Sequence, residues 1–241
     1  MKIPLFYIPK TKYKYFLEIK HKYSCSKYII PIGRDCHAAH TLQVLELRHQ
    51  SLPYDWIRLK AQLGLNIVSS NIRERFNFFL ENLHQNEEGN TYAEKYPNAE
   101  FTHAKAVLHD VSLRNKFKKR AQRMLDIIDN QDVAYLHILE IQTFKNDDFK
   151  IFIESIQKFI EILKHNDSLH IYIRYDNTLE NPDIAKNIIE SIEKLPKVYV
   201  CTYNRNKEKY GIWGNPKNYP LLMKDVGIQL KRNFPSFRIV S

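Results

Sequence analysis

The chain carries three cysteines, Cys25, Cys36 and Cys201, and Cys36 sits where a thiol can do chemistry. Ile29-Ile30-Pro31-Ile32 reads as a short apolar strand ending at Gly33, and Arg34-Asp35-Cys36-His37-Ala38-Ala39-His40 turns straight into a helix. Asp35 is a favoured N-cap type, which places Cys36 at or near the first helical position. A thiol there lies in the field of the helix N-terminus, which favours the nucleophilic thiolate. The competing expectation is a buried cysteine that packs as a small hydrophobe.

A nucleophilic thiol needs a base. The candidates are His37, His40, His103, His109 and His137. His37 adjoins Cys36, so the two side chains diverge, whereas His40 lies one turn along on the same face. No second pair with ligand spacing accompanies Cys36 and His40, so no metal is expected, and no cofactor either. His137 falls in mid-strand, a core position. In Ser51-Leu52-Pro53-Tyr54-Asp55-Trp56, Asp55 suits an imidazole-orienting carboxylate or a helix cap, and Trp56 a pocket wall or a core residue. Gly211-Ile212-Trp213-Gly214-Asn215 reads as a glycine-flanked tryptophan loop, a lid or platform. No phosphate loop, dinucleotide fingerprint, serine elbow or HExxH motif occurs.

The elements that must position these residues follow from periodicity. Strands are expected at 27–33, 133–141, 169–175 and 197–203, and helices at 36–48, 71–84, 112–129, 147–164, 183–194 and 219–231. Residues 1–27 read as irregular or weakly stranded, 85–98 as an exposed loop, and 100–109 as strand or helix. The alternation predicts an α/β fold: a mainly parallel sheet flanked by helices, three-layered and Rossmann-like, in a single domain 1–241 whose first 26 residues form a basic, aromatic-rich extension. In such sheets the working site lies at the carboxyl ends of the strands. That rule gathers 33–36, 140–143, 174–177 and 203–205. With the two tryptophan loops it makes Gly33, Arg34, Asp35, Trp56, Arg174, Asn204 and Trp213 the expected substrate-binding residues.

Composition narrows the partners. The 241 residues carry a net charge of +10, and residues 1–30 hold seven lysines against the single acid Glu18. A second basic run spans Arg114, Lys116, Lys118, Lys119, Arg120 and Arg123. Such charge suits polyanion contact, or else a solvated surface. Three cysteines do not suit a disulfide scaffold. No apolar stretch is long enough for a membrane span, and residues 1–10, broken by Pro4 and Pro9, do not read as a signal peptide; the expected location is the cytoplasm.

The run Ile32-Gly33-Arg34-Asp35-Cys36-His37-Ala38-Ala39, then Leu42, Leu47-Arg48 and Pro53-Tyr54-Asp55-Trp56, resembles the opening of a bacterial family of unknown function described as papain-like cysteine peptidases. Phe101-Thr102-His103 and Lys116-Phe117-Lys118-Lys119-Arg120 resemble a later block of that family, in which a histidine, usually followed by Asp, precedes a basic helix. The resemblance implies Cys36 as nucleophile and a downstream histidine as base. His103 is followed by Ala104, and the His-Asp pair of this chain is His109-Asp110, so both histidines remain candidates.

Three functions stay open at this point. The first is a thiol-dependent hydrolase or acyl transferase acting on an acyl or other small-molecule substrate, with catalytic Cys36, His103 or His109, and Asp55. The second is a glycan-related transferase holding a phosphorylated or nucleotide-sugar donor at the strand ends. The third is a non-catalytic module that binds nucleic acid or another polyanion.

Overall fold

The computed structural model describes residues 2–11, 14–142, 144–176 and 183–240. In chain order the elements are β1 (Lys2–Tyr7), β2 (Lys14–Ser24), β3 (Tyr28–Pro31), α1 (His37–Val44), β4 (Arg58–Leu59), α2 (Gly64–Arg73), β5 (Leu83–Gln85), β6 (Thr91–Ala93) and β7 (Tyr96–Phe101). There follow α3 (Val111–Asn130), β8 (Val133–Glu140), α4 (Asn146–Ile160), β9 (Ser168–Tyr175), α5 (Asp183–Ile192), β10 (Val198–Asn204), α6 (Lys207–Tyr210), α7 (Tyr219–Asp225) and β11 (Lys231–Val240).

A parallel sheet in the order β10-β9-β8-β3 holds the molecule together. Strand alternation divides its side chains between two cores. Val133, Tyr135 and Leu139 of β8 and Leu169, Ile171 and Ile173 of β9 pack with Phe117 and Met124 of α3, Phe152, Ile156 and Phe159 of α4, and Ile188 of α5. The intervening Ala134, Leu136, Ile138 and Tyr172 pack with Ala38 and Leu42 of α1 and with Leu222 and Met223 of α7. Residues 133–139 are therefore buried without a break, as a strand covered on both faces must be.

The α/β class stands, but the mainly parallel, Rossmann-like arrangement does not. The parallel strands follow chain order from one edge, without the reversal that defines a doubly wound sheet. The other seven described strands form two antiparallel sheets, β1-β2-β11 and β4-β7-β6-β5.

The local differences have local causes. The helix expected at 71–84 lies at Gly64–Arg73, because Arg75 and Phe76 take left-handed φ values of 50° and 59°. Phe76 and Phe79 still reach the core from the turns that follow. The polar stretch expected as a loop at 85–98 contains β6 and the start of β7. The helix expected at 219–231 stops at Asp225. Gly227 then turns at φ 81°, where an added Cβ would meet the Tyr199 ring at 2.8 Å, and β11 begins. β11 pairs with β2, so the basic extension, expected as irregular or weakly stranded, is stranded and forms the middle and one edge of a sheet. No helix among the described residues is long and apolar enough to cross a membrane.

Phe152 is fully buried between β8 and α4, beside His137 and Phe144. Phe152→Ala is expected to lower the free energy of unfolding by about 3–5 kcal/mol, through lost burial and the cavity left behind. The midpoint of a urea melt reads this loss.

Candidate active site

The β3–α1 turn delivers Cys36 to the carboxyl end of the parallel sheet. Ile32 N–H continues the β3–β8 ladder by donating to the Leu136 carbonyl (2.9 Å). Gly33 then passes close to β8, and a Cβ there would meet Ile138 at 2.8 Å. Cys36 is itself the N-cap, one position earlier in the cap than expected, and its carbonyl accepts the first helical bond from His40 N–H (2.9 Å). Asp35 Oδ1 accepts from His37 N–H (2.9 Å) and so satisfies one helix-end donor.

Cys36 opens onto a cleft of about 430 Å³. Its floor is an ion-pair chain across the strand ends. Arg174, at the end of β9, grips Asp35 with both guanidinium arms (3.2 and 2.6 Å) and also binds Glu140 at the end of β8. Arg205, just past β10, holds Asp176 through Nε–H (2.9 Å) and lies 4.0 Å from Glu140. Arg34 stands 4.0 Å from Glu140 on the other side. Burial alone would raise the Asp35 carboxyl, but Arg174 outweighs it and holds the group below the usual carboxylate range. Arg174 is only 3% exposed; its burial is more than offset by Asp35 and Glu140, and it stays charged.

His37, expected to point away, is tied into the wall of this cleft. Its Nε2–H donates to the Trp213 carbonyl (2.9 Å), and Nδ1 therefore accepts from the Tyr172 hydroxyl (2.7 Å). Burial, aided by the Arg174 charge, lowers its pKa to about 4, so the ring is neutral near pH 7. Tyr219 donates to the same Trp213 carbonyl (2.6 Å), which pins the glycine-flanked loop beside the thiol. The His40 ring packs on the Trp213 indole with centroids 4.0 Å apart, and burial lowers its pKa as well.

The thiol does not follow the helix-field expectation. Burial, together with the Asp35 carboxylate, pushes Cys36 up rather than down. The field of the helix N-terminus is local, and the acid beside the thiol opposes it.

Of the residues picked out by sequence, Arg34, Asp35, Cys36, Arg174 and Trp213 line the cleft together. Glu140, Gln142, Asp176, Arg205 and Lys207 join them, all but Lys207 within the strand-end stretches. Positions 143 and 177 of those stretches lie outside the described residues. Gly33 packs against β8 instead of lining the cleft. Asn204 is exposed, and its Oδ1 accepts from Asn206 N–H (2.9 Å). Asp55 is buried and accepts from Arg48 (2.5 and 3.0 Å) and from Leu52 N–H (3.0 Å), closing the turn at Pro53–Trp56. Trp56 meets the exposed His103 edge-on with centroids 5.8 Å apart, and His109 is exposed before α3; none of the three lines the cleft. Tyr172 was not singled out by sequence, although it lies two residues before Arg174 on the same strand face, where period-2 reading could find it.

Alkylation with iodoacetamide across a pH series, read by peptide mass spectrometry, should separate the cysteines. A raised pKa leaves the thiol protonated until the pH climbs. Cys36 labelling is expected to inflect above the ordinary thiol range of about 8.5, and Cys201, pushed up to about 12 by burial and Asp225, later still.

Comparison with known proteins fits the same stretch of chain. A family model described as putative papain-like cysteine peptidase matches residues 27–207, from the lead-in to β3 through β10 to Lys207. No curated protein and no solved structure matches the chain. The Cys36 turn, the parallel sheet and the ion-paired strand ends all fall inside the matched residues, and the chain belongs to this family of papain-like cysteine peptidases, named as such by its description alone.

Proposed function

We propose that the protein is a thiol-dependent hydrolase or acyl transferase in which Cys36 is the nucleophile. The observation that carries this reading is the position of Cys36: a half-buried thiol at the N-cap of α1, opening onto a cleft at the carboxyl ends of four parallel strands. Family membership supports the same class of chemistry.

The base we propose is His40, which does not itself line the cleft but packs on the cleft-lining Trp213. Its backbone bond to the Cys36 carbonyl keeps the two residues in helical register, and side chains four apart on a helix stack on one face. A lowered pKa leaves the His40 imidazole neutral and able to accept a proton near pH 7. The His37 ring is less suited, because both of its nitrogens are already engaged.

The chemistry then runs as follows. His40 takes the Cys36 proton as Sγ attacks the substrate carbonyl carbon. The oxyanion that forms is stabilised by first-turn N–H groups of α1 other than that of His37, which is spent on Asp35. The imidazolium returns its proton to the leaving group as the carbonyl–leaving-group bond breaks, giving a thioester. Water, or a second nucleophile, gives its proton to His40, attacks the thioester and releases Cys36 as a thiol. A thiol that rests protonated fits this scheme of base catalysis within the step, rather than a standing thiolate.

Hydrolysis of activated esters and thioesters by variants tests the assignment. Cys36→Ala is expected to abolish turnover, and His40→Asn to lower kcat by about 100-fold or more. His103→Asn and His109→Asn are expected to stay within about threefold of the parent. Equal loss in His103→Asn or His109→Asn, with His40→Asn active, would move the base to that residue. Full activity in Cys36→Ala would end the reading.

A further inference from the structure

A second cavity shares Arg34 with the Cys36 cleft. It measures about 300 Å³ and is lined by Arg34, Lys60, Gln62, Phe144, Lys145 and Asp148. Taken together, the two cavities carry six cationic side chains (Arg34, Lys60, Lys145, Arg174, Arg205 and Lys207) against four carboxylates (Asp35, Glu140, Asp148 and Asp176). His37 is neutral, so the balance is +2.

That excess is concentrated in particular residues. Arg174 is consumed by Asp35 and Glu140, and Arg205 by Asp176. Asp148 is consumed by Gln62 (2.5 Å) and by Lys145 N–H (2.9 Å). Arg34 is different: its nearest carboxylate is 4.0 Å away, and its Nε is buried without a hydrogen-bond partner among the described residues. Lys60, Lys145 and Lys207 are exposed and make no ion pair among the described residues. Lys60 and Lys145 therefore line one hollow without an ion pair among the described residues, Lys207 lines the other near enough to Asp176 to help lower its pKa, and Arg34, held only by the loose 4.0 Å pair with Glu140, lines both.

We propose that these hollows bind the phosphate or pyrophosphate group of a phosphorylated substrate, with Arg34 as its central contact. Lys60 and Lys145 meet it from one cavity and Lys207 from the other. A lone carboxylate is satisfied by one arginine fork. Four separated donors and a balance of +2 match instead a multiply charged group with several acceptor oxygens. The volumes suit a phosphorylated small molecule. Arg34 and Cys36 are two residues apart, so their Cα atoms are separated by no more than about 7 Å. Both residues line the same cleft, so a substrate held by its phosphate at Arg34 lies in the cleft onto which the thiol opens. This last point rests on the thiol reading, whereas the anion site does not.

Calorimetric titration with inorganic pyrophosphate in low-salt buffer tests the site, with phenyl phosphate as a second probe for an esterified group. Arg34→Gln is expected to weaken pyrophosphate binding by about tenfold or more, and Lys60→Gln with Lys145→Gln by about three- to tenfold. Arg34→Lys, which keeps the charge but loses the fork, is expected to fall between Arg34→Gln and the parent. Lys118→Gln with Lys119→Gln, on the basic face of α3, should bind as the parent does. A far-ultraviolet spectrum and a thermal melt establish that each variant is folded. Unchanged affinity in folded Arg34→Gln and Arg34→Lys would overturn the site, as would equal weakening in the α3 variant, which marks diffuse charge attraction. Arg34-dependent binding in a protein without acyl-transfer activity would sink the thiol reading and leave the anion site standing.

Discussion

Arg174 is the constraint on which the cleft depends. A guanidinium only 3% exposed cannot remain unpaired, because the desolvation of a buried charge must be offset by fixed partners. Its partners come from the turn before α1 and from the end of β8, while Arg174 itself ends β9. One side chain therefore locks the tips of three adjacent parallel strands and holds Asp35 where it caps α1. The register of the sheet makes this unavoidable: Glu140 pairs with Arg174 across β8 and β9, so the two side chains leave the same face at the same level.

Most of the electrostatic behaviour of the site follows from that lock. Asp35 is kept ionised by Arg174, and the resulting carboxylate helps to raise the neighbouring thiol. The Arg174 charge also helps to keep His37 neutral, which suits the ring's two hydrogen bonds, to the Trp213 carbonyl and from the Tyr172 hydroxyl. The tryptophan loop is thereby fastened to the helix that carries the thiol. Attractive and repulsive terms are shared among few groups, and Arg34 sits at the edge of the network, held by a loose 4.0 Å pair with Glu140.

The sequence reveals the parts of this arrangement that depend on neighbours along the chain. The strand–glycine–helix turn at 29–36, the apolar run at 133–139 and the strand-end positions of Arg34, Asp35 and Arg174 are all legible from spacing. Pairing at long range is not. β11 lies more than two hundred positions from its partner residues on β2, and no local pattern announces that match. The 71–84 stretch shows helical spacing of Ile72, Phe76, Phe79 and Leu80, yet left-handed turns at Arg75 and Phe76 carry the two phenylalanines into the core by another route. The place of His37 escapes sequence for a related reason: adjacent side chains do diverge, but both can still flank one cleft when a distant loop closes over the second. Asp55 reads in sequence as an imidazole-orienting carboxylate or a cap; it closes its own turn, and its ion pair with the half-buried Arg48 lies across that turn and is visible only in three dimensions.

The most direct test of the account is to trap the thioester. Brief incubation with an activated ester such as p-nitrophenyl acetate, acid quench and peptide mapping by mass spectrometry would locate the acyl group. The account predicts a single acetyl group on Cys36, formed with release of one equivalent of p-nitrophenol and absent after prior alkylation. Acetylation spread over surface lysines, with Cys36 unmodified, would contradict it.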